Sequence, residues 1–249
     1  LGASLKMVRQ GFRKTPYATM HQFSANHSLL TKAYNFHWYS EITDVFGKRS
    51  DLILDADIKA PDNVTNFFGY GIHSVYDKSK PNKFDYYRAR YVLGDVALLM
   101  RSRISDQVAF SIGPVYEFHS LDASDNGNRF INQPLQNGLD PATLYHEQCF
   151  VGGRLMFTVD TRDNKISPRK GMMWQNTFRI LSGKNSASHD LKQVSSDLSV
   201  FTKITKKLIW ANRIGAGRNF GQFEFFQAQY LGAEDNLRGY RKNRFAGFG

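Results

Sequence analysis

The feature that most restricts this chain is a period of two. Apolar and polar residues alternate along its whole length, in runs of about 9–14 residues, against about 5–6 for ordinary soluble strands. Tyr34, Phe36, Trp38, Ser40 and Ile42 interleave with Asn35, His37, Tyr39, Glu41 and Thr43. Leu52, Leu54, Ala56 and Ile58 interleave with Ile53, Asp55, Asp57 and Lys59. The same pattern recurs over 108–119, 151–160, 172–181 and 208–217. Successive strand residues point to opposite faces, so each run carries one apolar and one polar face. About eleven runs result, near 2–10, 19–30, 33–46, 51–60, 85–94, 96–104, 107–120, 144–160, 172–183, 190–203 and 207–232, the last holding two strands. The segment 85–104 also reads as one strand with a bulge near Gly94-Asp95. Turn chemistry marks the breaks: Asp62-Asn63, Ser79-Lys80-Pro81-Asn82, Asp125-Asn126-Gly127-Asn128, Ser167 to Gly171 and Gly183 to Ser186. No amphipathic helix of useful length interrupts the pattern.

An all-β chain of this kind is a sandwich, a propeller or a barrel. Four features favour an antiparallel transmembrane barrel. The runs match the roughly 9–11 residues of a tilted membrane strand. Charge sits in mid-strand on the polar face (Glu41, Asp55, Arg154, Arg213), as a watery lumen allows. Aromatics gather towards strand ends (Tyr39, Phe46, Phe118, Phe220, Phe223, Phe225, Phe226), like an interfacial girdle. Mean hydropathy is low, −0.45, although apolar faces are plentiful.

Composition removes other classes. A chain of 249 residues can bury a core, and its single cysteine, Cys149, excludes a disulfide framework. No run approaches the ~18 apolar residues of a membrane helix; the most apolar stretch, Val92 to Met100, is interrupted by Asp95. The net charge of +11 is scattered rather than gathered on one helix, so nucleic acid is not an expected partner. The chain opens Leu1-Gly2-Ala3-Ser4, which reads as a processed product or a fragment.

Two motifs stand out. Asp160, Arg162, Asp163, Asn164, Pro168 and Gly171 form a turn between two runs, and Gly232, Leu237, Arg238, Gly239 and Tyr240, followed by Arg244-Phe245-Ala246-Gly247, lie in a long loop. Gly171 permits a backbone closed to other residues, and Arg238 can fork onto a carboxylate. In order and spacing the pair resembles the two signatures of the BamA/TamA-type outer-membrane barrel superfamily, the bacterial surface antigen barrels. The resemblance covers nearly the whole chain. It implies a barrel in the bacterial outer membrane, about 11 of an expected 16 strands being present here. It also implies that the Arg238-Gly239-Tyr240 loop folds into the barrel, with Arg238 braced by an acidic residue on a later strand.

An open set of strands would leave unpaired edges in lipid. Residues 1–249 are therefore expected to be an incomplete barrel domain, with the closing strands, and any periplasmic domain upstream, outside it. The resemblance implies insertion or export of polypeptides, with lipid, lipopolysaccharide, client polypeptides and assembly subunits as partners. Leu1 to Gln10 would be half of a seam that offers an edge to a client strand. Gly11 to Ala18 and Asn66 to Gly71 look like segments of a subgroup whose barrel follows a calcineurin-like phosphoesterase, so a membrane anchor for such a domain is the alternative.

No catalytic constellation or cofactor site is read within the chain. Gly94-Asp95 continues Val96-Ala97-Leu98 and Asn26-His27 follows Ala25, so the phosphoesterase metal clusters fail, and no G-x-S-x-G elbow occurs. His21 and His27 stand about 20 Å apart along a strand, too far to share a metal. Asp122 to Asn128 has the composition of a calcium loop without its closing Glu. Gly215, Gly217 and Gly221 lie in a strand with no helix after them, and Cys149 reads as a small packing residue.

Overall fold

In the computed structural model the described residues are 1–80, 82–133, 137–233 and 236–249. Among the described residues ten strands form one antiparallel meander in chain order: β1 (Gly2–Arg9), β2 (Thr19–His27), β3 (Tyr34–Ile42), β4 (Ser50–Asn66), β5 (Arg88–Arg103), β6 (Val108–Ser120), β7 (Gln148–Asp160), β8 (Gly171–Gly183), β9 (Leu191–Lys203) and β10 (Ile209–Gly221). Two short strands, β11 (Gln229–Leu231) and β12 (Phe245–Gly247), pair with each other beyond it. The protein is all-β, and the alternating runs are its strands. A 13-residue strand measures about 43 Å, which at a 45° tilt spans roughly the 30 Å hydrocarbon layer.

Burial on the two faces separates a barrel from a sandwich. The apolar face is the exposed one: Trp210 is 60% and Ile214 70% accessible, and Phe36, Trp38, Met100, Ile112, Phe178 and Ile180 share that outward band. The charged face is the buried one, with Asp51 at 0% and Glu117 at 3%. A sandwich immersed in water would do the reverse. The sheet curves towards its charged face. Arg154 on β7 lies 3.7 Å from Asp55 on β4 and 2.8 Å from Asp95 on β5. In a flat sheet β7 and β4 would lie about 14 Å apart. Gly113 and Gly152 serve this bend: a Cβ there would lie within 2 Å of a carbonyl oxygen of the adjacent strand.

Some expected details differ. Residues 88–103 are one strand, with continuous register past Gly94-Asp95; the irregularity lies on β4, between Lys59 and Asn63. The turn expected at Asp62-Asn63 is thus a bulge inside a 17-residue strand. Residues on either side of it pair with β5, so the sheet carries the chain through. In the expected turn at Ser79 to Asn82, Pro81 lies outside the described residues.

The meander places its turns on alternate rims. One rim has the connections 10–18, 43–49, 104–107, 161–170 and 204–208; the other has 28–33, 67–87, 121–147, 184–190 and the segment after β10. Short turns are periplasmic and long loops external in outer-membrane barrels. Among the described residues β1 and β10 are not paired with each other.

Near the short-turn rim, buried Asp51 holds two cations. Arg101 donates to it at 2.7 and 3.0 Å and also to Glu41, while Arg103 lies 2.9 Å from it and donates to Asp44. Arg101→Met would leave buried Glu41 without its cation and Asp51 with Arg103 alone. The expected cost is about 3–5 kcal/mol, read as a lower urea midpoint for loss of heat-modifiable gel mobility.

Candidate functional site

The site begins where β10 ends. Glu224 and Gln227 close a short 3-10 turn over Phe225–Gln227 by a reciprocal cap, which turns the chain back inwards. Phe225 becomes fully buried against Phe67, Tyr91 and His119. Phe226 stacks on the His119 ring, with centroids 3.5 Å apart and planes 12° from parallel. Gln227 Nε2 donates to Glu117 Oε1 at 3.0 Å, and its carbonyl accepts from Gln193 and Asn219, both at 2.8 Å.

Glu117 is the end of a polar ladder along the lumen wall. Arg179 Nη2 donates to Glu117 at 2.6 Å and to Asp95 at 2.8 Å. Arg154 donates to the other Asp95 oxygen at 2.8 Å and approaches Asp55, which meets His37 Nε2 at 3.0 Å. Six strands, β3 to β8, thus lead through alternating charge to one loop glutamine. Removing one partner from such a chain leaves the other buried and unpaired.

Above the turn, Phe67, Phe68, Tyr87, Phe130, Ile131, Leu139 and Leu144 pack into an aromatic cap at the long-loop rim. Thr143 donates to Glu224 at 2.8 Å within it. Burial pushes the Glu224 carboxyl above its ordinary range, against the smaller opposing effect of that hydrogen bond. Tyr230 donates to the Phe225 carbonyl, and burial raises its phenol well above the usual range.

The tip of the segment is fastened by Arg244. Its guanidinium donates to the Ser74 hydroxyl at 2.8 Å and to the Ser74 carbonyl at 2.5 Å, and lies over Phe68 and Phe245. Arg241 lies over Tyr76 and Phe84. Gly71 donates to the Ala246 carbonyl at 2.8 Å, joining the tip to the 67–87 loop. Arg238 is exposed and makes no hydrogen bond or ion pair among the described residues; Glu234 and Asp235 lie outside them. Gly239 takes φ +90°, and Tyr240 packs 5.3 Å from Phe245. Leu237 donates to the carbonyl of Ala233, and a Cβ on Gly232 would lie 2.1 Å from the Arg241 carbonyl.

The other motif lies at the opposite rim. Arg162 forks onto Asp160 with two bonds of 2.8 Å. Asp163 Oδ1 accepts from the amides of Arg169 and Lys170, and Asn164 Oδ1 from Ile166 and Ser167. Pro168 sits between these bonded residues, and Gly171, at φ +102°, opens β8. The motif therefore builds the β7–β8 turn and does not meet the Arg238 loop.

Four aromatics leave the expected girdle, among them Phe223, which packs on Tyr70 and Phe248 beside the concave-face cluster. Phe225 and Phe226 pack inside the lumen, because the turn that carries them bends inwards; Tyr39 faces the lumen and donates to Glu41 at 3.1 Å. Gln227 was not legible as a site residue. The one signal was an aromatic pair followed by an amide just where alternation stopped. No group of three or more His, Cys, Asp or Glu side chains able to hold a metal occurs among the described residues.

Sheet, polar lumen and inward-folded loop define an outer-membrane-type β-barrel with an internal loop. Residues 19–247 match the Omp85 superfamily domain, and the chain belongs to that superfamily of outer-membrane polypeptide insertion and translocation barrels. No curated protein matches the chain.

Two outcomes test the geometry. Gly171→Ala would force a Cβ to 2.3 Å from the Thr161 carbonyl at a positive φ; a loss of about 1–3 kcal/mol is expected in the same urea assay. A carboxyl whose folded pKa stands above its free value of 4.5 favours the docked turn below that pH and loses this as pH rises through the raised value. Amide exchange over 224–228 should therefore quicken with pH beyond its intrinsic rate, and Glu224→Gln should remove that excess.

Proposed function

We propose that the protein is an integral outer-membrane barrel that inserts or exports polypeptides. The observation that carries this reading is the Phe225–Gln227 turn seated in the lumen, joined through Glu117 to the charge ladder of the wall. A passive diffusion pore needs an open water path through its lumen. Here the loop after β10 occupies it and is held by directional bonds, which favours a barrel whose wall and loop move together. Client polypeptides, outer-membrane lipid or lipopolysaccharide, and assembly subunits are the partners of this reading. The backbone edge of β1 is the surface on which a client strand would pair, by β-augmentation.

Within this reading Gln227 and Glu117 position the loop, and Arg179 holds Glu117. Gln227→Ala removes a hydrogen bond to a charged group worth about 1.5–3 kcal/mol. In vesicles containing the full-length protein it should slow folding of a second outer-membrane polypeptide by at least about fivefold. An unchanged rate, with the barrel folded, would sink the reading.

The resemblance gives Arg238 a bracing role inside the barrel. Arg238→Ala in the full-length protein should then impair folding or client insertion. If neither changes, Arg238 has no bracing role and Arg244 is the anchor of the tip.

The segments 11–18 and 66–71 support a second reading, a membrane anchor for an upstream metallophosphoesterase. Metal-dependent phosphoester hydrolysis by the full-length protein, without any effect on client folding, would favour it.

A further inference from the structure

The five connections of the short-turn rim share a composition that neither the lumen nor the loop explains. Together they hold ten Lys or Arg and three Asp, a formal charge of +7. The connections of the opposite rim, with the segment 222–249, hold ten basic and ten acidic residues. Part of the short-turn charge is used internally: Arg162 pairs with Asp160, Lys14 donates to the Thr43 carbonyl, and Arg169 donates to the Lys206 carbonyl. Lys48, Lys165, Lys170, Lys206 and Lys207 are exposed, and their side chains bond to no other described residue.

Each of the five turns also presents a large apolar side chain outwards. These are Phe12, Phe46, Ile104, Ile166 and Leu208, with accessibilities from 56% for Leu208 to 96% for Ile166. Arg13 lies over the Phe12 ring at 4.9 Å, so cation and apolar group stand together there. Water alone gives no reason for an apolar residue at every turn of one rim. Apolar tips among lysines are the composition that seats a surface in the boundary between acyl chains and anionic headgroups, with the lysine stems reaching outwards. The charge then selects the headgroup.

We infer that the short-turn rim is a docking surface for anionic phospholipid headgroups of the adjoining leaflet. The inference rests on the membrane-barrel reading and adds the lipid that one rim recruits. The apolar tips enter the leaflet, and the five unpaired lysines gather phosphate-bearing lipid around the turns.

The test uses the full-length protein in vesicles of phosphatidylethanolamine and phosphatidylglycerol at a known ratio. Protein is excised with its surrounding lipid in polymer-bounded discs, and the lipids are measured by mass spectrometry. Phosphatidylglycerol should be enriched at least about threefold over the vesicle bulk. Enrichment should return towards bulk in the K48Q/K165Q/K170Q/K206Q/K207Q variant, whose folding is checked by heat-modifiable mobility. A salt titration of the unaltered protein gives an independent reading, since raised ionic strength should abolish the enrichment. A bulk lipid ratio around the unaltered protein, or enrichment that survives both the variant and salt, overturns the inference. Release of the protein by alkaline extraction would overturn the barrel reading itself, so the two failures are distinguishable.

Discussion

A carboxylate removed from water is the constraint on which this structure turns. Asp51 and Glu117 are buried on the concave face, where a carboxylate without a cation within bonding distance is costly. Arg101 and Arg103 meet the first, and Arg179 meets the second. Because Arg179 also binds Asp95, and Arg154 binds Asp95 from β7, the Glu117 pair extends into a ladder that ties non-adjacent strands. That ladder holds the curvature of the sheet; the large exposed apolar side chains face out, while Ile53, Leu99, Val115, Phe150, Leu181 and Leu191 pack as a cluster on the concave face. With the charge inside, the outer face need satisfy only lipid.

The loop after β10 uses the same chemistry. Gln227 meets the one Glu117 oxygen that Arg179 does not engage at its shorter bond, so the turn docks onto a wall already charge-balanced. Aromatic packing supplies the rest: Phe226 covers His119 and Phe225 fills the space under the cap. Docking is therefore specified by one amide and two rings, while the Arg241 and Arg244 contacts fix the far end of the segment. The two ends are held by different interactions, which allows the tip and the turn to respond separately.

Most of the strand order was legible because period-two alternation is a local property. β6, β8 and β9 start and stop within a residue or two of the runs read from the sequence. The β7–β8 turn was legible for the same reason: Asp163, Asn164 and Gly171 bond or bend within their own hairpin. The bulge between Lys59 and Asn63 was not, because Asp62-Asn63 has turn chemistry and only pairing with β5 overrides it. Composition alone places Phe225 and Phe226 in a girdle. Their true environment depends on residues more than a hundred positions away, such as His119 and Phe67.

By itself the sequence determined an all-β chain of long alternating strands with charge on one face. Strand periodicity and turn chemistry act over a few neighbouring residues, and each run carries its own record of them. Tertiary structure alone decided which acid meets which arginine, that Gln227 reaches Glu117, and that Arg244 rather than Arg238 bonds the neighbouring loop. Those pairings follow from how far the sheet bends, and the bend is a property of all the strands together.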